Sequence, residues 1–226
     1  MPKKKQNFLS SPQYTDQKNV TELILRLKKL YPEAKCSLNY NTNFELLVAT
    51  ILSAQCTDER VNKVTATLFR KYRSVADYAN AALSELEQDV HSTGFYRNKA
   101  KNIQATATRI LEHYNGQVPE IMQDLLTLPG VAIKTANVVL GTGFGKAEGI
   151  VVDTHVRRIS QRLGLTNKED PKKIELELKN IIPAQDWIEF SHLLIYHGRQ
   201  TCKAINPQCQ ACALSDLCPS SKLISK

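Results

Sequence analysis

The chain has 226 residues, room for one large or two small domains at roughly 150 residues each, and enough to bury a core without disulfide staples. Hydrophobic residues at 42% and charged residues at 23% exclude collagen-like, low-complexity and wholly disordered chains. Thirty Lys and Arg against 22 Asp and Glu leave a net charge of +8, which favours polyanionic partners, nucleic acid first among them.

The first residues are basic, with Lys3, Lys4 and Lys5, but Asn7, Ser10, Ser11 and Gln13 follow instead of an apolar run. This does not read as a secretory signal, and the expected location is the reducing cytoplasm. Residues 1–18 lack periodicity and are read as a flexible basic tail. A helix is predicted from Val20 to Leu30, with Leu23, Leu27 and Leu30 on one side and Pro32 beyond its end. Capping-box spacings at Asn19 and Glu22, Thr42 and Glu45, and Ser84 and Glu87 mark three helix starts. A second, largely apolar helix covers Asn43 to Ser53. Further helical patterns run over 59–72, 98–114, 120–126, 133–140, 154–163, 171–181 and 184–196, several closed by Gly or opened by Pro. Gly149 to Val152 is the one short β-like run, so the fold class is all-α with about ten helices. The longest stretches without a charged residue, Leu46 to Thr57 and Ala204 to Ser215, fall short of the roughly 18 apolar residues of a bilayer span, so no membrane partner is expected.

Four of the six cysteines, Cys202, Cys209, Cys212 and Cys218, fall together in a C-x6-C-x2-C-x5-C pattern. In a reducing compartment such a cluster reads as a metal site more readily than as a disulfide framework. Four thiolates suit either tetrahedral zinc or an iron-sulfur cluster; a single Cys-x-x-Cys knuckle tilts the reading toward iron-sulfur without excluding zinc. Cys36 and Cys56 stand apart and read as small buried residues.

The run from Leu128 to Leu140 joins two helices through Pro129-Gly130. Free amides at the start of the second helix would suit a DNA phosphate; alone, the turn is equally an ordinary helical corner. Lys134 lies in the first turn of that helix, where the helix dipole and partial burial would lower a lysine's pKa and free its amine to attack carbon. Asp153 reads locally as a helix cap; beside Lys134, it could instead stabilise positive charge developing on a sugar and accept a proton. His155 reads as a packed or hydrogen-bonded histidine.

Taken together, Leu52-Ser53-Ala54-Gln55-Cys56-Thr57-Asp58, the hairpin with Lys134, Val152-Asp153-Thr154-His155, His197-Gly198-Arg199 and the four-cysteine loop resemble the endonuclease III family. These are bifunctional DNA glycosylases with AP lyase activity in the helix-hairpin-helix-GPD superfamily, and the resemblance runs from about Val20 to Pro219. It implies a two-lobed fold with DNA in a cleft: a six-helix barrel at 36–147, and an iron-sulfur domain from 19–35 and 148–226. It further implies a 4Fe-4S cluster on the four cysteines, Lys134 as the Schiff-base lysine and Asp153 as the catalytic aspartate. Gln55 would fill the space left by an extruded base, the Gly130, Val131 and Ala132 amides would hold a phosphate, and Arg199 and Lys203 would add backbone contacts. The implied partner is double-stranded DNA with damaged bases or abasic sites, met by a monomer associated with the nucleoid.

The chain departs from the family pattern at several places. Ala132 replaces a glycine, which is costly at positive φ and harmless in a first helical turn. The glycine-rich run from Gly141 to Gly149 is one residue longer, and the interval after Cys202 carries one basic residue fewer. Phe95 stands where relatives carry a leucine wedge, unless it is a core aromatic. A related adenine-specific glycosylase lacks the lysine and carries a further C-terminal domain; a non-catalytic DNA-binding module would need neither Lys134 nor Asp153.

Overall fold

A computed structural model describes residues 17–221. The expected basic tail lies outside the described residues up to residue 16, and its last two positions are instead helical, since the first helix, α1, spans Gln17–Leu30. Asn19 is therefore inside a helix instead of at its cap position. All regular structure among the described residues is helical. The chain divides into two compact units, one from Cys36–Glu148 and one from Met1–Lys35 with Gly149–Lys226.

The first of these holds α2 (Asn43–Leu52), α3 (Asp58–Lys71), α4 (Val75–Asn80), α5 (Leu83–Val90), α6 (Tyr96–Tyr114), α7 (Met122–Leu125) and α8 (Ile133–Val138). Thr42 caps α2 by accepting the Glu45 amide, as its spacing predicts, and Thr57 caps α3 through the Arg60 amide. Helix α4 has no counterpart in the apolar pattern; a complete capping box between Ser74 and Asp77 supports its six residues. Ser84, expected as a cap, lies inside α5, whose own cap position is Ala82. Leu47, Leu52, Val61, Leu86, Ile103, Ile110 and Leu125 are completely buried at the centre of this unit, each contributing about 1.5–3 kcal/mol by leaving water. Cys36 and Cys56, expected as buried residues, are only partly buried at the edge of this core. Helix α8 passes directly into a π-helical turn, Val139–Gly143, which holds one more residue per turn than an α-helix.

The other unit packs α1 with α9 (Thr154–Arg162), α10 (Pro171–Ile181) and α11 (Trp187–Gln200) around Leu23, Leu27, Ile159, Ile174, Phe190 and Leu194. Pro171 opens α10 behind the Asp170 cap, and a short 3-10 turn, Ala184–Asp186, leads into α11. Gly198 lets α9 and α11 approach closely: a Cβ there would lie 2.8 Å from both His155 and Ile159 side chains. The β-like run Gly149 to Val152 forms no strand. Its buried Ile150 packs in the core, and the Val151 amide is satisfied by the Ser191 hydroxyl at 3.1 Å instead of a neighbouring strand. No helix among the described residues is long and apolar enough to cross a membrane.

Candidate active site and cysteine pocket

The hairpin joins α7 to α8. Leu128 to Val131 form a tight turn closed by the Val131 amide donating to the Leu128 carbonyl at 3.1 Å, with Gly130 at φ +76°. Two contacts clamp the turn to α6. Thr106 donates its hydroxyl to the Pro129 carbonyl at 2.7 Å, and Gly130 lies so near Asn102 that a Cβ would stand 2.8 Å from the Asn102 Cβ. Glycine is thus required at 130 by both backbone angle and space. Ala132 sits at the cap position of α8 with φ −97°, a conformation any residue adopts, so the departure from the family's glycine causes no strain.

The turn also corrects the expected phosphate site. Val131 is buried and its amide is spent inside the turn, so it is not available to a phosphate. Gly130 and Ala132 are exposed, and their amides have no partner among the described residues. Lys134, the second residue of α8, is exposed as well, so the partial burial expected to tune it is not found in this structure.

Gln55 and Phe95 flank the same unit on two short loops, one after α2 and one before α6. Both are exposed, Phe95 at 65%, so the core-aromatic alternative for Phe95 is excluded. Both also take left-handed backbone angles, φ +53° and +48°. For a residue with a Cβ this costs about 1–2 kcal/mol, which surrounding structure must offset.

Asp153, in the other unit, caps α9. Its Oδ1 accepts the His155 and Val156 amides, each at 2.8 Å, and its Oδ2 lies 3.1 Å from His155 Nδ1. The local reading as a cap holds: the amides fix the carboxylate's orientation, and about a fifth of the side chain remains accessible. Arg199 and Lys203 are exposed near the C-terminal end of α11.

Cys202, Cys209, Cys212 and Cys218 line one pocket together with Ile159, Leu163, His197 and Leu214. All four are free thiols, and none is joined in a disulfide. Burial pushes the thiols of Cys209, Cys212 and Cys218 up, the last to about 11. Donors nevertheless point at sulfur: Arg162 Nη1 lies 3.3 Å from Cys202 Sγ and the Leu214 amide 3.4 Å from Cys212 Sγ. His197 is buried and held neutral, its pKa lowered by burial to about 4; its Nδ1 meets Tyr31 Oη at 2.9 Å and its Nε2 stands 3.9 Å from Cys212 Sγ. The interval after Cys202 is held by Arg162, which donates to the Lys203 and Ala204 carbonyls at 2.7 and 3.1 Å. On the far side, Arg26 of α1 ties the loop through Asp216 at 2.7 Å and the Ala213 carbonyl at 3.1 Å. Neither arginine stands out in the sequence, because each acts across more than 40 residues.

Comparison with known proteins converges on one family. The model for "HhH-GPD superfamily base excision DNA repair protein" matches residues 48–184. Endonuclease III of Synechocystis sp. is 58% identical over 202 residues, spanning 89% of this chain and 92% of that protein. A solved structure of a non-covalent Endonuclease III-DNA complex superposes with a TM-score of 0.86 at 46% identity, covering 92% of this chain and 97% of its own. A trapped Endonuclease III-DNA covalent intermediate, an estranged-adenine complex, gives 0.87 at 45% identity, covering 93% and 99%. The chain belongs to the endonuclease III family within the HhH-GPD superfamily of base excision DNA repair proteins, and it is a DNA glycosylase and AP lyase.

Proposed function

We propose that this enzyme excises oxidised pyrimidines from duplex DNA and cleaves the abasic product by β-elimination, with Lys134 as nucleophile and Asp153 as its assisting carboxylate. The observation that carries the reading is Lys134 itself, an exposed amine on the first turn of α8, held behind a hairpin that is clamped to α6 at Pro129 and Gly130. The damaged nucleotide must leave the stack, because its glycosidic carbon is not accessible inside a duplex. Lys134 Nζ, after giving up a proton, attacks C1′; the base departs with the electron pair of the glycosidic bond and takes up a proton. Ring opening gives a Schiff base between Nζ and C1′. The imine acidifies C2′, a base removes that proton, and the C3′–O bond breaks with the electron pair leaving on the 3′ phosphate. Asp153, oriented by the two α9 amides, would stabilise the cationic sugar and carry protons.

Gln55 and Phe95 would contact the disrupted stack, and the exposed Gly130 and Ala132 amides a backbone phosphate. Arg199 and Lys203 would add phosphate contacts. The four cysteines fit a 4Fe-4S cluster, since they share one pocket into which a guanidinium and an amide direct hydrogen bonds toward sulfur, as thiolate ligands require. When bound, such a cluster would supply a cross-link that orders the loop from Cys202 to Cys218; base removal proceeds on Lys134 and Asp153. Borohydride tests the proposal: the enzyme should be trapped covalently on thymine-glycol or abasic DNA, and Lys134→Gln should abolish trapping. Trapping that survives in Lys134→Gln would refute the assignment.

A further inference from the structure

Lys99, on the first turns of α6, is 5% exposed, and its ammonium meets backbone carbonyls where a carboxylate would be the usual partner. A buried ammonium is costly unless its protons are all placed. Its Nζ donates to two of these carbonyls, Leu52 and Thr93, each at 2.8 Å. Leu52 is the last residue of α2 and Thr93 the last of the 3-10 turn His91–Thr93, so one ammonium from a third helix satisfies carbonyls at two helix ends, where the backbone leaves them without partners and the dipole is negative. Burial lowers its pKa, consistent with a desolvated cation held by carbonyl oxygens.

Both helix ends lead straight into a residue of the candidate DNA-facing surface. Three residues beyond Leu52 comes Gln55, and two beyond Thr93 comes Phe95. Four non-glycine residues among those described have positive φ: Gln55, Phe95, Asn115 and Asn206. Asparagine tolerates that region; glutamine and phenylalanine adopt it only when their surroundings impose it. Both strained residues present exposed side chains, and both leave helix ends that Lys99 ties together.

We infer that Lys99 is a positioning residue for base extrusion: it locks the Gln55 loop and the Phe95 loop to each other through the Leu52 and Thr93 carbonyls. The role rests on the reading of Gln55 and Phe95 as contacts to the disrupted DNA stack. Buried and turned to these two carbonyls, Lys99 is not presented to DNA or to the reacting sugar. Its removal should therefore impair opening of a duplex more than chemistry at an already unstacked sugar.

Lys99→Met keeps most of the stem and deletes the ammonium. In single-turnover assays, its excision of thymine glycol from duplex DNA should fall at least about tenfold further than its β-elimination at an abasic site in a single-stranded oligonucleotide, the loss expected when two charge-assisted hydrogen bonds go. With wild-type protein excising and trapping normally, equal losses in the two reactions would mean the ammonium serves stability alone, and would overturn this role while leaving the assignment of Lys134 intact. A second measurement covers a Lys99→Met protein that does not fold. In the unaltered protein, the Cys56 amide, bonded to the Ser53 carbonyl, and the Gly94 amide, bonded to the His91 carbonyl, should exchange with the same opening constant. Opening constants differing by more than about tenfold would show that the loops move independently and would overturn the inference.

Discussion

Asp153 caps α9 and, in the proposed function, also supplies the assisting carboxylate; a pair of substitutions separates the two roles. Its Oδ1 accepts two backbone amides of α9 at 2.8 Å each, and its charge sits at the positive end of the helix. Asp153→Ala deletes both hydrogen bonds and should cost about 0.5–2 kcal/mol, the usual loss of a helix cap. Asp153→Asn keeps an equivalent oxygen and is as good a cap, so its cost reduces to the charge–dipole attraction, about 0.3–1 kcal/mol. At roughly 2–4 °C per kcal/mol for a chain of this size, alanine should lower the melting temperature by about 1–8 °C and asparagine by no more than about 4 °C. Single-turnover excision should fall in both by at least about 100-fold, because each lacks the ionised carboxylate. Thermal unfolding by circular dichroism and excision from thymine-glycol duplex, measured on the same preparations, give both numbers. Wild-type excision by Asp153→Asn would remove the carboxylate from the mechanism. Equal destabilisation by the two substitutions would show that the cap does not act through Oδ1.

The hairpin yields a second pair. Gly130→Ala should destabilise by about 2–4 kcal/mol, combining positive-φ strain with overpacking against Asn102; adding Asn102→Ala should not rescue it, because the colliding Cβ at position 102 remains, and chemical denaturation would show either. Ala132→Ser should raise stability by roughly 0.5–1 kcal/mol by giving α8 the side-chain cap it lacks, and a fall in the denaturation midpoint would contradict the extended geometry at 132. DNA affinity should decline as salt rises, with Arg199→Ala and Lys203→Ala each reducing the slope of log affinity against log salt by about one; unchanged slopes would remove these residues from the phosphate contacts. Metal analysis should find iron and labile sulfide with the four cysteines, and a stoichiometric zinc without iron would overturn the cluster.

Much of the fold is legible because the helices obey local rules. Thr42 and Pro171 mark helix starts where their chemistry says they should, and the apolar spacing of Leu23 and Leu27 sets the buried face of α1. Local rules also mislead. Asn19 and Ser84 have the spacing of caps but lie inside helices, where burial of Val20 and Leu86 outweighs a cap. Helix α4 escapes the pattern because six residues give too few apolar positions to establish a period. At the site, residue types identify Lys134, Asp153 and the cysteines, whereas the commitment of the Val131 amide to its own turn depends on turn geometry that residue types do not specify. Arg26 and Arg162 carry no signal at all, since a lone arginine reads the same whether it faces water or holds a carbonyl more than 40 residues away.

Helix α6 matters more than its sequence suggests, for the same reason. Lys99, Asn102 and Thr106 fall at i, i+3 and i+7, one face of a helix, and between them they fix three loops of the unit. Lys99 holds the ends leading to Gln55 and Phe95, Asn102 sets the closest approach of Gly130, and Thr106 anchors Pro129. Loops that must present strained or exposed residues have few apolar contacts of their own and open easily. Referring three of them to a single rigid helix makes their relative spacing a property of that helix, at about 1.5 Å per residue, instead of three independent loop conformations. The residues that aim this part of the site are therefore buried hydrogen-bond donors and one steric contact on α6, while the residues that would meet DNA are exposed and locally unfavourable. That division accounts for a left-handed glutamine and phenylalanine surviving on the surface of a unit whose core is otherwise ordinary.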